Sequence, residues 1–200
     1  LTKKFGNYAK DISLAWFWAR ITKRTPSLAY PKGGFMKFAN EIVNKIKKSK
    51  GKVLFDTQVK EIRIEQNKPT IRLINNKVLA FDKIIATLPS YFFIKIAPQL
   101  PENYKQKLLI LKSLSAINLV LRLKKPFLKD GTYWLNICDE RYPLMAIVEH
   151  TNFIDKQNYN NEHLVYLGNY LNHDHPFMKM DKDKLLKIYD PIMNKINKQY

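Results

Sequence analysis

The residues able to do chemistry in this chain are few, and their spacing limits what they can do. His173-Asp174-His175-Pro176 sets two imidazoles two positions apart, near enough to share a metal ion, although a polar turn is the plainer reading and no third ligand follows. Glu149-His150-Thr151-Asn152 closes an apolar run, where polar side chains at a strand end can point into a cleft. Cys138 stands beside Asp139 and Glu140, whose charge works against a thiolate nucleophile. As the single cysteine, it also excludes an internal disulfide or a multi-cysteine metal site. Tyr133-Trp134 and Trp16-Phe17-Trp18 could wall a flat apolar ligand, or could be plain core.

The missing motifs narrow the field further. With six glycines there is no G-x-G-x-x-G and no G-x-x-x-x-G-K-[ST], so the usual cradles for a dinucleotide or a triphosphate are absent from this stretch. Neither a G-x-S-x-G elbow nor an H-E-x-x-H helix occurs. The net charge is +18, from 35 Lys+Arg against 17 Asp+Glu. Lysine dominates the cations and is dispersed, and the six arginines are few for bidentate base reading, which counts against nucleic acid. Compositional bias accounts for most of the excess, and an anionic membrane surface remains as a use for it. No apolar run approaches the ~18 residues of a membrane span and no secretory leader is evident, so the expected location is cytoplasmic, with peripheral membrane association as the variant. Leu1 is not an initiator Met, so the chain is expected to be a piece of a longer one.

The elements that must position these residues follow from periodicity. Asp11 is placed to cap a helix over Ile12–Ile21 that is apolar nearly all round and so expected to be buried. After the turn at Tyr30-Pro31-Lys32-Gly33-Gly34, the residues Phe35, Phe38, Ala39, Ile42, Val43 and Ile46 define an amphipathic helix, with Gly51 expected at C′. Strands are expected at 53–55, 58–65, 70–74 and 77–81, with a turn at Asn75-Asn76, and at 83–88, where an apolar run reads as a buried strand halted by Pro89. Helices should fill about 90–97 and 102–112. Strands should follow from Ser115 to Pro126 and over 132–138, 144–149 and 163–171, before a final helix over 181–195. The fold class is α+β in two lobes, one of them a mixed or antiparallel sheet with flanking helices.

Five stretches together resemble the central part of the flavin-containing amine oxidase superfamily, which includes protoporphyrinogen oxidases, carotenoid desaturases and UDP-galactopyranose mutase-like proteins. They are the Ile12–Arg20 helix; Tyr30-Pro31-Lys32-Gly33-Gly34-Phe35; Thr57-Gln58-Val59-Lys60-Glu61-Ile62; Phe81 to Pro89; and Ile117 to Phe127. The resemblance implies FAD as cofactor. It implies cofactor contacts at Gly33 and Gly34 (toward the isoalloxazine), at the Val59 backbone (adenine), and along Ala86, Thr87, Leu88 and Pro89. It further implies that residues 1–30 are a helical part of a substrate lobe, 31–90 a portion of the FAD domain, and 91–200 the substrate-binding lobe. The terminal FAD-binding segments would lie outside this chain, leaving it inactive and unable to hold FAD alone.

In the register set by Lys124-Lys125-Pro126-Phe127, Asn118 occupies the position of the Lys that holds a water at flavin N5 in monoamine and polyamine oxidases. Asn can hold a water but brings no positive charge, which fits dehydrogenase, desaturase, isomerase or mutase members better. The implied function is hydride transfer from a small or apolar substrate to FAD. Asn118, Tyr133, Trp134, Glu149, His150 and Asn169 are the expected substrate wall, with no acid–base pair evident and no metal. A flavin-dependent sugar-nucleotide mutase is the first alternative, and a basic module binding polyanions or membrane the second.

Overall fold

In the computed structural model, which describes residues 2–200, two antiparallel sheets each organise their own unit of an α+β chain. Unit 1 comprises Leu1–Tyr30 and Ser113–Tyr200, and unit 2 comprises Pro31–Lys112.

Unit 1 begins with α1 (Thr2–Phe5), a 3-10 turn over Gly6–Asp11, and α2 (Leu14–Thr22). Asp11 therefore ends the 3-10 turn instead of capping α2, whose N-cap position is Ser13 without a side-chain cap bond. The expectation that α2 is buried also fails, because none of its residues is buried. An apolar helix is buried only where something covers it, and here Trp16 meets the edge of Phe5 at 5.2 Å while the rest of the helix faces out.

Unit 2 opens with α3 (Gly34–Lys48). Its end departs by one position from expectation. Lys50 takes the left-handed conformation at C′ (φ 62°) and donates to Lys47 O at 3.0 Å, while the Gly51 N–H donates to Ile46 O at 2.9 Å. This is a Schellman closure. Gly51 is needed for close approach, since a Cβ there would lie 2.7 Å from Ile46 Cγ2.

The unit 2 sheet runs β1 (Val59–Glu65), β2 (Lys68–Leu73) and β3 (Val78–Ala80), in that spatial order. The expected Asn75-Asn76 turn is present: Asn76 is left-handed, its N–H donates to Leu73 O at 2.9 Å, and Asn75 Oδ1 accepts the Lys77 N–H at 3.1 Å. Two expected strands do not form. Residues 53–55 are irregular, and so are 83–88, where Ile85 is 90% exposed. A strand needs a ladder partner for its backbone groups, and neither run has one among the described residues. Helices α4 (Ser90–Ile96) and α5 (Glu102–Leu109) follow, and this unit continues to Lys112, beyond the boundary expected at residue 90.

The larger sheet in unit 1 has the spatial order β4 (Ser115–Leu123), β7 (His163–Leu171), β6 (Ala146–Glu149) and β5 (Trp134–Asn136). Its alternation separates two faces. Ile117, Leu119, Leu121, Ile147, Val165 and Leu167 point to the core, where α6 (Lys182–Ile196) covers them with Leu185, Tyr189, Ile192 and Met193. Helix α6 starts where Asp181 accepts the Lys184 N–H at 2.9 Å. Burying one such Leu completely contributes about 1.5–3 kcal/mol, so this face fixes the sheet.

Candidate functional site

The open face of the unit 1 sheet is ordered in cross-strand rows. One row joins Asn118, Gly168, Ala146 and Asn136 from β4, β7, β6 and β5. The next joins Val120, Tyr166, Val148 and Trp134. The first row carries an amide at each end, with only Gly168 and the buried Ala146 between. A Cβ on Gly168 would lie 2.7 Å from Asn118 Oδ1, so the glycine is what allows the Asn118 side chain to lie over its neighbour strand. Trp134 Nε1 donates to Asn136 Oδ1 at 2.9 Å, which ties the indole to this row. Asn118 and Trp134 thus lie on one face of the sheet. Gly168 and Asn136 were missed, because their part depends on a strand order that local sequence does not carry.

A polar aromatic cluster flanks this face where β6 ends. The His150 ring lies 5.9 Å from that of Tyr166, 5.0 Å from Tyr30 and 5.2 Å from Tyr159. His150 Nε2 and the Tyr159 hydroxyl are 2.7 Å apart, and Tyr159 in turn hydrogen-bonds Tyr30. Burial pushes the His150 imidazole below its ordinary value and so keeps it neutral, with one donor and one acceptor nitrogen. Burial first, and then the Tyr30 hydrogen bond, push the Tyr159 hydroxyl up to about 12. Tyr166 is raised as well, by burial and then by its neighbours Tyr30 and Tyr133. The result is a neutral imidazole joined to hydroxyls that stay protonated at neutral pH. An acid–base group was not expected from sequence, and of its members only His150 was anticipated at the site. Tyr133, at the margin of this cluster, packs its ring on Phe153 at 5.1 Å.

Glu149 and Asn169 do not join the open face. Glu149 has 0% exposure on the core side. Its Oε1 accepts the Phe127 N–H at 3.1 Å and its Oε2 accepts the Leu128 N–H, so it clamps the turn after β4. His163 Nδ1, otherwise without a hydrogen-bond partner, lies 3.3 Å from Glu149 Oε1, close enough for an ion pair when protonated though not aligned as a hydrogen bond. Asn169 is buried, donating to Pro143 O at 2.7 Å and to the Tyr189 hydroxyl at 3.0 Å. Period-2 alternation explains both: each is one residue out of phase with the open face. The two histidines of the His173–His175 segment also part company. His173 meets the Ser113 and Ser115 hydroxyls, while His175 Nδ1 accepts the Phe177 N–H at 3.2 Å. Among the described residues no cluster of His, Cys, Asp and Glu could hold a metal.

In unit 2 the residues implied for a dinucleotide fall in two places. Gly33, the N-cap of α3, and Gly34, its first residue, are both left-handed (φ 86° and 83°), and no side chain caps the helix. A Cβ on Gly33 would lie 2.6 Å from Lys37 Cδ. Val59 begins β1, an edge strand with one side of its backbone free of a strand partner. Ala86 and Leu88 line a groove of about 650 Å³ with Ile62 and Ile64 of β1 and Phe93 of α4. Thr87 lies between them in the same irregular segment, and Pro89 is the N-cap of α4. A bare edge backbone and an uncapped glycine turn suit the adenine and polar parts of FAD, so the residues present fit part of that group.

Comparisons with known proteins bear on the family and the fold. The family model described as flavin-containing amine oxidoreductase matches residues 7–199. Among solved structures, an oxidoreductase from Methanosarcina mazei superposes with a TM-score of 0.63 at 16% identity, over 82% of this chain and 39% of that one. A reduced UDP-galactopyranose mutase gives 0.63 at 15% identity, over 92% and 42%. A putrescine oxidase double mutant gives 0.61 at 11% identity, over 82% and 35%. These likenesses are likenesses of fold, and this chain spans about two fifths or less of each of those chains. No curated protein sequence matches.

Proposed function

The chain belongs to the flavin-containing amine oxidoreductase family, and from that premise we propose that it forms the substrate wall and part of the cofactor side of a longer FAD-dependent oxidoreductase acting on a small or apolar substrate. The observation that carries this reading is the cross-strand row of Asn118, Gly168, Ala146 and Asn136 beside the Trp134 row. Amides at its ends, little side chain between them and an aromatic border suit a planar or slender substrate held by two hydrogen-bonding groups.

FAD, when bound, supplies the two-electron acceptor. The chain's own part is binding, orientation and proton handling. Asn118 and Asn136 orient polar groups of the substrate, and Trp134 and Tyr166 exclude water along one edge. A proton leaving the substrate would pass to the Tyr159 oxygen as the Tyr159 hydroxyl proton moves to His150 Nε2, leaving a neutral phenol and an imidazolium. In unit 2, the Val59 backbone would hold the adenine of FAD, and the Gly33-Gly34 turn and Ala86 to Pro89 would supply further cofactor contacts. Hydride transfer with an uncharged Asn118 favours a dehydrogenase, desaturase or isomerase over an amine oxidase.

The test is the visible absorption of the complete protein before and after anaerobic reduction. A two-band flavin spectrum that bleaches supports the reading, and a colourless protein that ignores added FAD overturns it. A sugar-nucleotide mutase, the second reading, also accommodates the uncharged Asn118. It requires UDP-sugar binding that appears only after the flavin is reduced.

A further inference from the structure

We propose that α2 is a membrane-docking element that seats unit 1 on an anionic lipid surface. The residues of α2 that repeat at i, i+3, i+4 and i+7 are Leu14, Phe17, Trp18 and Ile21, and they make one stripe of the helix. All four face solvent, at 79, 38, 66 and 60% exposure. The opposite side is the anchored one: Trp16 packs on Phe5, with Lys4 over both rings. The helix is thus held to its unit by one face and offers the other, unpartnered, as a ridge of two large aromatics and two branched aliphatics.

Charge identifies the occupant. Lys3, Lys4, Lys10, Arg20, Lys23 and Arg24 lie within residues 1–30, and Asp11 is the one acid there. Among the described residues, Arg20, Lys23 and Arg24 pair with no carboxylate. An apolar ridge with Trp and Phe at its crest and cations at its flanks and C-terminal end complements the headgroup boundary of a bilayer rich in anionic lipid, where aromatics sit at the interface and cations meet phosphates. A nine-residue helix is far too short to span, and no described helix is long and apolar enough to do so, so α2 lies in the plane of the surface. This proposal does not depend on flavin chemistry.

The experiment is co-sedimentation of the full chain with phosphatidylcholine vesicles, with and without about one third phosphatidylglycerol, at low and high salt. The expected result is binding to the anionic vesicles only, weakened by salt. It should fall at least about tenfold in F17S/W18S and also in K23E/R24E. Because these side chains are exposed, circular dichroism of the variants should match the parent. Bromolipid quenching of the unmodified chain gives a second readout, with quenching that disappears in Trp18→Ser. Absence of vesicle binding, or binding indifferent to Phe17 and Trp18, overturns the proposal. So does a lipid-free dimer that buries the stripe. None of these outcomes bears on whether the protein binds FAD, so the two readings fail separately.

Discussion

Leu144, Ile147, Val165, Leu167, Tyr189 and Met193 are fully buried in unit 1, under one helix and behind one sheet. In unit 2, Thr70, Leu73 and Ala97 are the only buried residues, although its helices and hairpin are just as regular. The apolar stripe of α3 lies open, with Phe35, Phe38 and Ile42 all exposed. Regular secondary structure is therefore no measure of how well a unit stands alone. Helix α3 and the β1–β3 meander are specified by local periodicity, turn residues and a C-terminal closure. What they lack is apolar area removed from water, the dominant favourable contribution to folding.

The largest test of that contrast is a matched pair of truncations. Leu167→Ala in the unit 1 core should cost about 2–5 kcal/mol, read from the urea midpoint, while Ile42→Ala on α3 should cost less than about 1 kcal/mol. Equal costs would mean that the stripe of α3 is covered in solution. Next in size is Glu149→Ala, which leaves the Phe127 and Leu128 N–H groups without their acceptor. A loss of about 1–3 kcal/mol is expected, confined to unit 1. If Glu149 instead served the open face, the change would alter ligand binding and leave stability nearly intact.

The pH dependence sharpens the same division. His150 is depressed by burial, so below about 6.5 the unfolded chain takes up a proton that the folded unit 1 refuses. Stability of unit 1 should therefore fall as the pH drops below that value, and His150→Gln should flatten the slope between pH 7.5 and 5. The smallest effect on stability belongs to the open face. Asn118→Ala should change the urea midpoint by no more than about 0.5 kcal/mol. Gly168→Ala should displace the Asn118 side chain, detectable as a shift of its amide resonances, because the new Cβ meets Asn118 Oδ1.

Where the sequence could be read, the information was local. The alternation from Ser115 to Leu123, the bounds of β7, the Asp181 start of α6 and the Asn75-Asn76 turn each follow from residues within a few positions of one another. The failures share one physical cause, dependence on something distant. Residues 83–88 have strand composition but no ladder partner among the described residues, and α2 is apolar but uncovered. For the site, Asn118 and Trp134 were legible as types on strands. Gly168, Asn136 and Ala146 acquire meaning only once β7 and β6 stand between β4 and β5. Glu149 and Asn169 carried the right chemistry on the wrong side of the sheet, a matter of one residue in phase. The hydrogen-bonded set of Tyr30, His150 and Tyr159 spans distant parts of the chain and has no sequence signature.

The proposed function divides the labour between a self-supporting substrate wall in unit 1 and a cofactor side in unit 2 completed by binding. Hydrogen exchange of the complete protein with and without FAD tests it most directly. Slowed exchange is expected on FAD addition in the amides around Gly33-Gly34, at Val59 and over residues 84–89, with the unit 1 core strands already protected and unchanged. FAD-independent exchange throughout unit 2, or protection appearing only in the unit 1 core, would contradict it.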